Sequence, residues 1–132
     1  MVTLLTRDAI LGASDITTEN VKVPEWGGTV RVKGLTAAQR DVFESQVMTM
    51  RGKDVSVNMS GIRALMASMA IVDDNDKPVF TKADVKALGE KSGAALDRVF
   101  EAVTRLSGLS DGDVEELAGN SEPGQSEGSS SN

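Results

Sequence analysis

The clearest period in the chain runs through Leu96, Val99, Phe100, Val103 and Leu106, apolar positions at i, i+3, i+4, i+7 and i+10. It predicts an amphipathic helix over 93–107 that Gly108 ends. Ile62, Leu65, Met66 and Met69 repeat the same spacing with so few polar interruptions that a helix over 61–72 is expected at the centre of a bundle, with Arg63 on its far face. Thr36 followed by Gln39 reads as a capping box. The helix it opens, over 36–51, gathers Val42, Phe43, Val47 and Met50 on one side and leaves Arg40, Asp41 and Glu44 outside. Thr81 with Asp84, and Ser110 with Asp113, open shorter helices over 81–89 and 110–117, and Thr6 caps a brief one that stops at Gly12.

Two runs have a period of two instead. Val21 and Val23 oppose Lys22, and Val30 and Val32 oppose Arg31 and Lys33, with Pro24-Glu25-Trp26-Gly27-Gly28 between them. That pattern predicts a β-hairpin over about 16–34. Lys53 to Ser60 has no helical period and reads as a loop, and Asp73 to Pro78 as a turn. Gly119 to Asn132 has no apolar side chain to offset the entropy of ordering it, so 119–132 is expected to be a disordered, polar, acidic tail. The expected fold is therefore α+β and predominantly helical, a small helix bundle with an N-terminal β-hairpin, in a single globular domain over 1–118.

Charge sharpens this division. Residues 1–109 carry 14 basic and 14 acidic side chains, so the net charge of −6 comes entirely from Asp111, Asp113, Glu115, Glu116, Glu122 and Glu127. A neutral body with an acidic end offers phosphates no basic patch, which argues against a nucleic-acid partner. No apolar run approaches the ~20 residues of a membrane helix, so no membrane partner is expected. Cys, His and Tyr are absent, which removes the strongest nucleophile, the commonest general base near neutrality and the phenolic acid together. Catalysis and a bound cofactor are accordingly not expected. Asp73, Asp74, Asn75 and Asp76 suggest a calcium loop, but the sixth position counted from Asp73 is Pro78 where glycine is needed and the twelfth is Asp84 where a bidentate Glu is needed. A solvated turn explains them better, and no metal site is expected.

Binding is the function class that remains, and six residues are candidates for it. Met48, Met50 and Met59 lie near a helix end and loop, where flexible thioethers suit a surface that accepts irregular clients, whereas Met66 and Met69 belong to a core face. Phe43 and Val47 complete an apolar groove with Met48 and Met50, unless they are internal. Trp26, the single tryptophan, either plugs the bundle or anchors a partner.

The run from Val21 to Thr36, VKVPEWGGTVRVKGLT, resembles the opening hairpin of tail assembly chaperones from long-tailed bacteriophages and prophages of the siphovirus type. Ala70-Ile71-Val72-Asp73, then Lys77-Pro78-Val79-Phe80-Thr81 and Leu88-Gly89-Glu90-Lys91-Ser92, are similar to the later part of the same proteins, so the similarity spans roughly Leu5 to Leu117. The resemblance implies a non-enzymatic protein that coats the tape measure protein in the cytoplasm of the infected host, keeps it soluble and helps recruit tail tube protein. It also implies that the chaperone is not in the mature virion, and that a longer form made by ribosomal frameshifting can accompany it. A homo-oligomer is compatible with this. The alternative expectation is a small structural protein of the head–tail joint or tail terminus, retained in the virion.

Overall fold

A computed structural model of the chain describes residues 2–53, 59–110 and 112–114. In order, the elements are α1 (Arg7–Leu11), β1 (Thr18–Val23), β2 (Gly28–Lys33), α2 (Ala37–Lys53), α3 (Met59–Ala70), β3 (Ile71–Val72), α4 (Val85–Gly89) and α5 (Gly93–Leu106). The architecture is α+β and mainly helical, with an N-terminal hairpin. The expected tail over 119–132 and half of the expected helix over 110–117 lie outside the described residues.

Local chemistry sets the helix starts. The backbone N–H of Gln39 donates to Thr36 Oγ1 at 3.1 Å and that of Thr36 donates to Gln39 Oε1 at 2.9 Å, which satisfies two donors that the first turn of α2 would otherwise orphan. Thr81 and Asp84 make the same reciprocal pair before α4, and Ser110 and Asp113 make it at residues 110–113. Thr6 accepts from the Ala9 N–H to start α1, and Ser92 accepts from the Ala95 N–H to start α5.

The hairpin pairs Val21 with Val30 and Glu19 with Val32, which places the apolar side chains of both strands on the face toward the helices and turns Asn20, Lys22, Thr29 and Arg31 to the other face. The expected helix over 61–72 ends two residues early: Ile71 and Val72 leave α3 as a third strand, antiparallel to β2 through Val32–Ile71 and Arg31–Val72. The β-branched pair completes the sheet and buries both side chains, which a last half-turn of helix would not do.

Between sheet and helices lies one core of Val21, Val23, Val32, Phe43, Val47, Ile62, Leu65, Met66, Leu96, Val99 and Val103 with their smaller neighbours. α3 is its centre, buried from Ile62 to Ala70 except at Arg63 and Met69. Arg63 does not face away as expected: its Nε lies 2.7 Å from Asp97 Oδ1 and its guanidinium stands 5.9 Å from the Phe100 ring centroid, so it bridges α3 to α5.

Two ion pairs clamp the hairpin onto α5. Arg105 donates to both carboxylate oxygens of Glu19, at 2.8 and 3.0 Å, and Arg98 donates to Glu25 at 3.0 and 3.2 Å. Hydrogen bonding from these guanidiniums holds both carboxyls below the usual glutamate range. A carboxyl whose folded pKa is depressed stabilises the fold above its unfolded pKa and loses that contribution as pH falls through the folded value. The melting temperature is therefore expected to begin falling as pH drops below 4.5. In the Glu19→Gln/Glu25→Gln double variant, part of that decline should be absent in melts taken between pH 7 and pH 3. An identical acid limb in both proteins would show that the clamps do not contribute.

Candidate partner-binding surface

Pro24-Glu25-Trp26 forms a single 3-10 turn between β1 and β2, closed by Gly27 in the left-handed region at φ 75°. Pro24 supplies the fixed φ at its start, and the Glu25–Arg98 pair ties it to α5, so Trp26 is presented from a braced turn. The indole is half-buried against the core. Its Nε1 is sealed from solvent and meets no acceptor among the described residues.

Phe80 reaches the same region from the other half of the chain. The segment after β3 turns through Asp73 to Lys77, where Asp73 Oδ1 accepts from the N–H groups of Asn75 and Lys77, and Asp76 takes a positive φ of 63°. Asp76 is held by Arg31 at 2.7 Å, and hydrogen bonding from this guanidinium lowers its pKa. The chain then returns along β3 through a Val72–Pro78 bridge and the Val79 N–H donating to Ile71 O, which leaves Val79 exposed and Phe80 half-buried.

Two open hollows flank these rings. One, of about 560 Å³, lies over the sheet between Asn20, Val30, Val72 and Val79; the other, of about 520 Å³, lies beside α4 between Glu25, Ala87, Leu88 and Lys91. Trp26 and Phe80 line both.

The candidate residues from the sequence are not brought together. Phe43 is 1% exposed and Val47 fully buried, so both are internal to the core and the expected groove along α2 does not form around them. The physical reason is that α3 packs against α2 and both side chains join the common core. Met48 is on the outside of α2, 51% exposed, and Val42 is exposed as well. The side chains of Met50 and Met59 lie outside the described residues. The sequence reasoning missed Phe80 as a companion of Trp26, although Val79-Phe80 behind a turn was the available signal. It also missed Val2, Leu4, Leu5, Ile10 and Leu11, which are all exposed on and before α1.

The structure is thus a small α+β domain with a braced turn that carries Trp26 and large apolar side chains exposed outside its core. The family model of the phage tail assembly chaperones matches residues 6–120, and the chain belongs to that family. Nothing among curated proteins or solved structures matches it. Its partners are accordingly proteins of the phage tail. No helix among the described residues is long and apolar enough to cross a membrane.

Proposed function

We propose that the protein binds apolar helical stretches of the tape measure protein, keeps that chain soluble in the cytoplasm of the infected cell, helps recruit tail tube subunits, and leaves before the virion is complete. The match of residues 6–120 to the tail assembly chaperones is the observation that carries this reading. The physical support is the exposed apolar surface: Met48 and Val42 on α2, Val79 beside the sheet, and the leucines before α1 are available to cover a client's own apolar face. A long helical client offers repeated anchors at i, i+3, i+4 and i+7, and unbranched Met48 suits variable ones.

Co-expression tests it. The tape measure protein of the same phage should be largely soluble when the two are made together and insoluble when made alone, and Met48→Asp should lower the soluble fraction. A client equally insoluble in both cases would overturn the reading. Mass spectrometry of purified virions should find the tape measure protein and tube protein without this chain.

A further inference from the structure

We propose that the paired hollows astride Trp26 and Phe80 are a docking groove for an apolar client helix carrying lysine or arginine. This rests on the client-binding reading above and assigns it a place on the molecule.

Two observations converge there. First, two adjacent concavities share one aromatic wall, so anchors one or two turns apart on a helix can enter one hollow each. Aromatic walls of this kind dominate binding energetics at protein interfaces. Second, the rim selects a sign of charge. Arg31 is already neutralised by Asp76, and Glu25 by Arg98. Asp73, Asp74 and Asp84 have no ion-pair partner among the described residues, against Lys91 alone on the basic side. The uncompensated rim is acidic and complements a basic segment.

Cationic side chains are favoured in the last turn of a helix, so a client helix C-terminus with Lys or Arg there supplies the charge that this rim lacks.

The chain has one tryptophan and no tyrosine, so its intrinsic fluorescence reports on Trp26 alone. The test uses the full-length protein and a tryptophan-free 18-residue helical peptide with leucines at i, i+4, i+7 and i+11 and lysines in its last turn, beside a counterpart with glutamates for the lysines. The lysine peptide should shift Trp26 emission saturably, with a matching calorimetric isotherm, and the glutamate peptide should not. Asp73→Asn/Asp74→Asn keeps the acceptors of the turn and should weaken the lysine peptide by about tenfold, as removal of two rim charges implies. Trp26→Phe should weaken it as well, with circular dichroism checking that the variant is folded.

Binding without any change in Trp26 emission, equal binding of both peptides, or binding unaffected by the Asp variants would each overturn the groove. So would an emission change that follows protein concentration without peptide, which would assign the groove to a second copy, or one that follows deletion of residues 2–11, which would assign it to the chain's own N-terminal segment. Failure of the groove stays distinct from failure of the chaperone reading. If the Asp73→Asn/Asp74→Asn variant keeps the tape measure protein soluble as well as the parent does, the groove falls and the chaperone stands. If the parent itself leaves the client insoluble, the chaperone reading falls.

Discussion

Phe43→Ala is expected to lower the free energy of unfolding by about 3–5 kcal/mol, among the largest effects any single truncation in this core should have. The ring is 1% exposed and, one turn on, Val47 is fully buried; among the described side chains of α2 these two are the buried apolar ones. Few others on α2 are available to replace the lost burial, because Val42 and Met48 point to solvent. A domain of this size is stabilised by only ~5–15 kcal/mol in total, so the variant should show a much lower urea midpoint with a nearly unchanged slope. Met48→Asp, by contrast, replaces a side chain that is already half in water and should stay within ~0.5 kcal/mol of the parent. The pair separates two ways of losing client binding: through collapse of the body in Phe43→Ala, and through loss of surface in Met48→Asp. Equal midpoints for Phe43→Ala and the parent would show that α2 is not seated on the core.

That contrast also explains how far the sequence could be read. Capping boxes were legible because their partners are three residues apart, so Thr36–Gln39, Thr81–Asp84 and Ser110–Asp113 form from local chemistry alone. The hairpin was legible for the same reason, since alternation and a Pro-Gly turn are local signals. Ile71-Val72 was not, because an apolar pair that follows Ala-Ser-Met-Ala continues a helical pattern equally well. Its conversion to a strand depends on Arg31 and Val32, which lie in the other half of the fold. Phe43 and Val47 illustrate a deeper limit: an apolar face looks the same whether a partner or the chain's own core will cover it. Arg63 was read outward by helical phase, and only the distant Asp97 and Phe100 explain why it turns to α5. Trp26 and Phe80 share a site for a similarly non-local reason, the return of the chain along β3 after the Asp73–Lys77 turn.

Gly34→Ala should destabilise the protein by about 1–3 kcal/mol, and the sign of the change is itself informative. Gly34 follows β2 at the point where the chain crosses the end of α5, and a Cβ there would stand 2.9 Å from the Leu106 carbonyl oxygen and 3.2 Å from its carbon. The obstacle is backbone, which cannot swing aside as a side chain would. The crossing is pinned further by the Leu35 N–H donating to Ser107 Oγ at 2.9 Å, and Leu35 itself is buried. Gly34 is not among the glycines with positive φ, so alanine meets no left-handed strain, and in open space the change would stabilise by about 0.4–1 kcal/mol through the unfolded chain. Steric exclusion and chain entropy thus predict opposite signs at one position. A lower denaturation midpoint for Gly34→Ala supports the tight crossing, whereas a raised one would mean that β2 and α5 are further apart than found here. The crossing matters beyond stability because Thr36 caps α2 two residues later. Any shift forced at Gly34 is passed to the start of the helix that carries Met48 and to the hairpin that carries Trp26, so the variant should also lose client solubilisation in proportion to its displacement of both.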